Sequence, residues 1–291
     1  MARVLVLGAG PAGISAALYA RRGGAQVTVV HKGKGTSALS RAELVQNYYG
    51  LEEALPGAEL ERRGLAGAIA LGISVVEDEI LALDYGEGFQ GFRAVSPGKT
   101  YEADSVIIAA GTRRKAPKIK GLRELEGHGV SYCAVCDAFL YRGKVTAVLG
   151  SGEYALHEAE ALLPHAVEVL LLTQGKEAPP RLPPQVKVHK LPVTALEGTE
   201  RLRGILLENG DTIAAEGLFV ALGTASGSEL ARKLGVMLAG QDIKTDAHMA
   251  TNVPGVFAAG DCTGGLLQIA KAVYQGAEAG LSAVKFLRER S

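Results

Sequence analysis

Twice in this chain an apolar run breaks into a glycine-rich turn followed by a helix-forming segment. Val4–Leu7 leads into Gly8-Ala9-Gly10-Pro11-Ala12-Gly13, and Val145–Leu149 leads into Gly150-Ser151-Gly152-Glu153-Tyr154-Ala155. Short, wholly apolar runs are expected of parallel strands buried on both faces. In such a turn the first glycine allows a tight bend and the second lets backbone approach a pyrophosphate. The third position, Gly or Ala, lets helix pack on strand. The amides and dipole at the helix start supply a positive field for the anion. The pattern predicts an α/β chain with two doubly wound, Rossmann-like dinucleotide-binding domains. Gly8, Gly10, Pro11, Ala12 and Gly13 are the predicted contacts in the first, and Gly150, Gly152 and Ala155 in the second.

Composition narrows the partners. A length of 291 residues fits about two domains. Lys plus Arg and Asp plus Glu both number 31, so no basic face is advertised for nucleic acid or an anionic membrane surface. The chain has no Trp and 5% aromatic residues, which argues against base-stacking platforms. Arg3 precedes an uncharged run from Val4 to Ala20 that has the look of a signal peptide or short span. Gly8, Gly10, Pro11 and Gly13 break that run at the dinucleotide spacing, so it reads as strand, turn and helix without a targeting signal.

Along the chain, helix is predicted over Ile14–Arg22 and strand over Val27–Val30, completing the first βαβ unit. Gly33–Tyr49 reads as loop and Ala58–Ala70 as helix. Ile73–Leu83 and Val106–Ala110 read as strands, and Arg113–Lys120, with five basic residues and a proline, as a linker. The second unit continues with helix Tyr154–Leu163 and strand Val167–Leu172. After a proline-rich loop, Val186–Thr194 and Leu202–Leu207 read as strands, with a hairpin turn at Asn209-Gly210. Leu218–Leu222 ends at Gly223.

The three cysteines form one close pair, Cys133-Ala134-Val135-Cys136, plus Cys262. This is no secreted disulfide framework. A bridge across so small a loop removes little chain entropy, so a redox role explains the spacing better than stabilisation, and it points to the cytoplasm. A zinc site needs four ligands, and neither His128 nor Cys262 has the spacing to complete one, so no metal is assigned. The pair is expected to open a helix, where the dipole favours thiolate. Asp137 is then either a proton shuttle or an exposed first-turn acid. Cys262 reads as a small packing residue.

Thr251-Asn252-Val253-Pro254-Gly255-Val256-Phe257-Ala258-Ala259-Gly260-Asp261 reads as a strand running into Gly260-Asp261, with a helix from about Leu267. With this segment the chain resembles the low-molecular-weight thioredoxin reductase family of FAD-dependent disulfide reductases. The markers are Gly8–Gly13, Val45-Gln46-Asn47-Tyr48, Ala109-Ala110-Gly111-Thr112, Cys133–Asp137, Gly150–Ala155 and Val253–Asp261. The resemblance implies an FAD-binding domain from 1–112 and 224–291, with an NAD(P)-type domain, 113–223, inserted and carrying the cysteines. It implies that Gly260 and Asp261 hold the flavin ribityl chain and phosphates, and that Gln268 and Ile269 approach the ring. Ala38, Leu39, Asn47 and Gly111 also fall at flavin-contacting positions. The alternative for Asp261 is a helix cap. The resemblance further implies that Cys136 faces the flavin and that Cys133 attacks the disulfide of thioredoxin or a thioredoxin-like protein. Asp137 then shuttles the proton, hinges lie at Gly111-Thr112 and Gly223-Thr224, and the protein is a homodimer.

The chain departs from the general dinucleotide pattern at one place and from that family at two. No acid stands about 20 residues after the first turn to hold a ribose; the strand ends Val29-Val30-His31-Lys32. The family's Gly-Gly-Gln-Leu stretch is Thr36-Ser37-Ala38-Leu39 here. Its His-Arg-Arg cluster, which grips the NADPH 2′-phosphate, is Thr173-Gln174-Gly175-Lys176, and Glu153 opposes a pyrophosphate in the first helical turn. The donor is thus left open between NADPH, NADH and reduced ferredoxin. Two other activities stand beside the main reading: a flavoprotein reducing quinone or oxygen, and a non-enzymatic flavin and thiol redox sensor.

Overall fold

The computed structural model describes residues 2–33, 35–111, 117–223 and 226–290. The chain forms two compact units, 1–114 with 226–291, and 115–225, the second inserted into the first. The opening stretch runs β1 (Arg3–Leu7), α1 (Pro11–Arg22), β2 (Gln26–His31), α2 (Gly57–Ala70) and β3 (Ser74–Glu77). It continues through β4 (Ala82–Tyr85), β5 (Phe92–Val95), β6 (Thr100–Ala103) and β7 (Ser105–Ile108). The inserted unit contains β8 (Val130–Ser131), α3 (Ala134–Asp137), β9 (Val145–Leu149), α4 (Glu153–Leu162) and β10 (Glu168–Leu172). Then come β11 (Val186–His189), β12 (Val193–Glu197), β13 (Gly204–Leu207), β14 (Thr212–Ala214) and β15 (Gly217–Val220). The chain returns as α5 (Gly227–Lys233), β16 (Leu238–Ala239), β17 (Asp242–Ile243), β18 (Val256–Ala258) and α6 (Ile269–Arg288).

Each unit is built on a parallel sheet, ordered β18-β7-β1-β2-β3 in the first and β11-β10-β9-β15-β8 in the second. The apolar runs earn their central places: Val6 and Ile107 are fully buried, as are Val148 and Leu171. Each sheet is accompanied by a three-stranded antiparallel one, β4-β5-β6 and β12-β13-β14. The expected two-unit α/β architecture is what the chain adopts. The Asn209-Gly210 hairpin is also present, with Gly210 at φ 89° between antiparallel β13 and β14.

In the first unit α1 and α6 pack at backbone contact. A Cβ on Gly276 would meet the Ala12 carbonyl oxygen at 2.1 Å, and one on Gly280 the Ala16 oxygen at 2.4 Å. Small residues one turn apart on both helices make this approach available, and the Ser15 hydroxyl donates to the Val273 carbonyl at 2.7 Å. The packing brings the start of α6 beside the start of α1.

Three predicted strands are corrected. Ile73–Leu83 is β3 and β4, which lie in different sheets. The chain turns where the Asp78 N–H donates to the His31 carbonyl and the Asp78 carboxylate accepts the Glu79 N–H, both at 2.8 Å. Val186–Thr194 is likewise divided into β11 and β12, again in different sheets, with Pro192 between them. Proline has no N–H to give to a ladder. The strand read across Thr251–Ala259 contracts to β18, because the chain turns at Gly255 (φ 85°) with the Val256 N–H on the Val253 carbonyl. Of the linker Arg113–Lys120, residues 113–116 lie outside the described residues, as do the hinge positions Thr112 and Thr224.

Candidate active site

The first glycine turn sits at the ends of β1 and β7. Gly8 adopts φ 108°, its N–H donates to the Val30 carbonyl at 2.8 Å, and a Cβ there would lie 2.4 Å from the Ala109 oxygen. A Cβ on Gly13 would lie 1.8 Å from the Gly8 oxygen. Gly10 differs: its φ is −72° and a Cβ would meet nothing within 4 Å. Gly8 and Gly13 are thus required by the protein's own packing, whereas the space at Gly10 is open. No side chain caps α1, and Pro11 supplies no N–H, so the amides of Ala12 and Gly13 face that opening without a side-chain acceptor. An uncapped helix start behind an open glycine is the shape a dinucleotide pyrophosphate fits.

The Gly260–Thr263 turn closes against the same place. Gly260 has φ 84°, and a Cβ there would stand 2.7 Å from the Ala12 Cβ. The turn is held from α6, which the sequence reading did not anticipate. Lys271 Nζ donates to the Gly260 carbonyl at 2.9 Å and to that of Gly264, and Gln275 Oε1 accepts the Gly260 N–H at 2.9 Å. Asp261 is half-buried, and its carboxylate makes no hydrogen bond to the described residues. At the start of α6, Asn47 Nδ2 donates to Gln268 Oε1 at 3.2 Å, so two predicted flavin contacts meet. Ile269 opens α6, and Gly111 (φ 72°) follows β7.

The divergent Thr36–Leu39 stretch folds on itself. Ser37 Oγ accepts the Ser40 N–H at 2.9 Å, the Thr36 hydroxyl donates to the Gly33 carbonyl at 2.7 Å, and Arg41 donates to the Thr36 carbonyl at 2.9 Å. Leu39 is buried and Ala38 exposed. No acid ends β2, as read, but Glu77 of the neighbouring β3 stands there: its Oε1 would lie 2.4 Å from a Cβ on Gly33.

In the inserted unit Cys133 and Cys136 form a disulfide, Cα atoms 5.3 Å apart. Cys133 is the N-cap of α3, and its Sγ accepts the Cys136 N–H at 3.2 Å. That N–H is placed to favour a thiolate on Cys133 once the bond is reduced. Asp137 closes the short helix, half-buried, and its Oδ2 accepts the Ser131 hydroxyl at 2.7 Å. Ser131 Oγ in turn accepts the Cys133 N–H at 3.1 Å. Cys133 itself is 2% exposed, and Cys136 is the more accessible residue of the pair.

Cys262 is buried in the first unit, its thiol against the Ile108 and Ala259 carbonyls, each at 3.3 Å. Burial pushes the thiol up to about 12. Thiolate is the reactive form, so in the folded, reduced protein at neutral pH Cys262 is expected to alkylate roughly 100-fold or more slowly than Cys136. Peptide mapping after timed iodoacetamide labelling reads this; comparable rates would mean that Cys262 is not sealed.

The second glycine turn keeps the backbone form but not the charge. A Cβ on Gly150 would meet the Ala221 oxygen at 2.3 Å and the Ala155 Cβ at 2.7 Å, so this glycine is required by packing. Gly152 caps α4, and a Cβ on it would find only the Gly223 oxygen, at 3.6 Å. Glu153 follows in the first turn, and Arg181 pairs with it at 3.3 Å. Beyond β10, the Gln174 side chain accepts the Val193 N–H at 3.0 Å, and Lys190 pairs with Glu177 at 2.7 Å. Lys176 is exposed.

Residues 2–276 match the family described as Pyridine nucleotide-disulphide oxidoreductase, which defines the class of the chain. A thioredoxin reductase of Aquifex aeolicus is 32% identical, over 98% of this chain and 93% of its own. The solved structure of an atypical thioredoxin reductase from Desulfovibrio vulgaris Hildenborough is 39% identical over 99% of both chains, with a TM-score of 0.92. A ferredoxin-flavin thioredoxin reductase from Clostridium acetobutylicum is 32% identical over 99% of both chains, with a TM-score of 0.74. Within its class, the chain therefore belongs to the low-molecular-weight thioredoxin reductase family of FAD-dependent disulfide oxidoreductases.

Proposed function

We propose that this protein passes electron pairs through bound FAD and the Cys133–Cys136 pair to the disulfide of a thioredoxin-like protein. The observation that carries this reading is the disulfide at the start of α3, with Asp137 tied through Ser131 to the Cys133 peptide. Gly8, Gly10, Pro11, Ala12 and Gly13 cradle the FAD pyrophosphate, and Gly260 and Asp261 take its ribityl and phosphate end. Ala38, Leu39, Asn47, Gly111, Gln268 and Ile269 border the rest. When bound, the flavin supplies an electron pair to the disulfide.

Two electrons and one proton then break the sulfur–sulfur bond, leaving Cys136 as thiol and Cys133 as thiolate. Cys133 attacks the partner's disulfide, forming a mixed disulfide and expelling one partner sulfur. Asp137 takes the proton of the Cys136 thiol and passes it to that sulfur. The resulting Cys136 thiolate attacks Cys133 Sγ, re-forms the internal disulfide and releases the second partner sulfur, which takes its proton from water. The cycle belongs to a compartment that keeps thiols reduced, the cytoplasm.

A second reading concerns the donor. Gly150, Gly152 and Ala155 retain the shape of an NAD(P) turn, but Glu153 occupies the first helical turn and Arg181 is already paired to it. A carboxylate there opposes a second pyrophosphate. This favours a protein donor such as reduced ferredoxin over NADPH or NADH. Anaerobic titration of the flavin band tests it. Bleaching by ferredoxin and none by stoichiometric NADPH or NADH is expected; prompt bleaching by NADPH overturns the reading.

A further inference from the structure

The helix that opens at the second glycine turn makes contacts that no nucleotide role accounts for. Its buried stripe includes Tyr154, Ala155, Ala159 and Leu162, and, on the same face as Tyr154, Glu158 with no solvent exposure. A buried carboxylate on an apolar face requires hydrogen-bonding partners. One of them is the Ala134 N–H, 2.5 Å from Glu158 Oε2. The Tyr154 hydroxyl, also buried, donates to the Tyr132 carbonyl at 3.1 Å. Tyr132 and Ala134 are the two neighbours of Cys133. Residues one helical turn apart on α4 therefore hold the peptide group on each side of that sulfur.

We propose that Tyr154 and Glu158 are positioning residues for the dithiol: they fix the Cys133 backbone so that its sulfur stays within reach of Cys136. When Cys133 carries a mixed disulfide, the Cys136 thiolate must attack Cys133 Sγ, re-forming the internal bond and expelling the other thiol. Pre-organisation raises the rate and the equilibrium share of that closure. The proposal also gives the second glycine turn a purpose apart from any nucleotide. The tight fit of Gly150 against Ala155 and Ala221 seats α4 at the depth from which both side chains reach the cysteine segment.

The inference rests on Cys133–Cys136 being the working dithiol, but its test needs neither donor nor thioredoxin. The folded holoprotein is equilibrated in a glutathione redox buffer and quenched in acid. The species are weighed by mass spectrometry as dithiol, internal disulfide or glutathione adduct. Relative to wild type, Tyr154→Phe and Glu158→Ala should raise the ratio of adduct to internal disulfide about tenfold. Glu158→Gln, which keeps an acceptor oxygen, should stay within about twofold of wild type. A general loss of stability lowers the melting temperature of the variants without producing this ordering. Unchanged ratios in Tyr154→Phe and Glu158→Ala overturn the brace and leave the proposed activity standing. Equal shifts in Glu158→Gln and Glu158→Ala also overturn it, because charge and not a held peptide would then be responsible. Should the ratios shift as expected while a Cys136→Ser variant retains full turnover, the proposed function fails and the brace stands.

Discussion

Cys136→Ser is expected to lower reduction of a thioredoxin-like disulfide by roughly 10³-fold or more while leaving the flavin bound and still bleached by its donor. The size of the fall follows from where the residue stands in the relay. Without Cys136 there is no internal disulfide to accept electrons and no second thiolate to release the partner. The cycle loses both its entry and its exit, and a serine hydroxyl replaces neither. The glycine turn proposed to hold FAD lies in the other unit, which the substitution does not touch. Turnover at the wild-type rate in this variant would end the relay as proposed.

The companion variant Cys133→Ser should lose activity equally, and the pair together decides the division of labour. Exposure alone nominates Cys136 as the attacking sulfur, since Cys133 is 2% exposed. The family role assigns attack to Cys133, whose Sγ has the Cys136 N–H for stabilisation. Incubation with an oxidised thioredoxin-like partner discriminates between them. A mixed disulfide trapped in Cys136→Ser but not in Cys133→Ser supports attack by Cys133, which must then become accessible during the cycle. The reverse result exchanges the two roles.

Much of this was open to a reading of residues, and the boundary follows range of interaction. The two strand–turn–helix units are local patterns, and they stand where the glycine spacing puts them. The helix opened by the cysteine pair and the hairpin at Asn209-Gly210 are likewise short-range. What was missed depends on distant partners. Ile73–Leu83 carries β-forming residues on both sides of Glu77-Asp78-Glu79, and the bond from Asp78 to the His31 carbonyl shows that the chain leaves one sheet for another there. Pro192 was a visible signal for the division of Val186–Thr194. In the site, Asn47 and Gln268 stand far apart in the chain, and their meeting depends on how α6 lies on α1. Lys271 and Gln275 belong to no motif; they act by holding a turn beneath the predicted Gly260-Asp261 pair. Glu158 did leave a trace, as the one acid in the buried stripe of α4. The acid expected after β2 illustrates the remaining gap: Glu77 of β3 stands beside the end of β2, a placement in space that spacing along the chain does not report.

Gly10→Val and Gly13→Ala should fail in opposite ways, although both alter the same motif. At Gly13 a methyl group would sit 1.8 Å from the Gly8 carbonyl oxygen, which is backbone and cannot swing aside. Helix α1 must move away from β1, and overpacking of this kind costs about 1–3 kcal/mol. The melting temperature of the flavin-free protein is then expected to fall by roughly 2–12 °C. At Gly10 the backbone is in an ordinary region, φ −72°, and an added Cβ meets no protein atom within 4 Å. The flavin-free protein should therefore melt within about 3 °C of wild type, the modest cost of replacing a glycine N-cap. Its valine fills the space into which the amides of Ala12 and Gly13 open, so FAD affinity should fall by about 10- to 100-fold. Fluorescence titration of the stripped protein with FAD, beside its thermal melt, separates the two effects without recourse to turnover. A Gly10→Val protein that binds FAD at wild-type affinity would place the pyrophosphate elsewhere and remove the first glycine turn from the site.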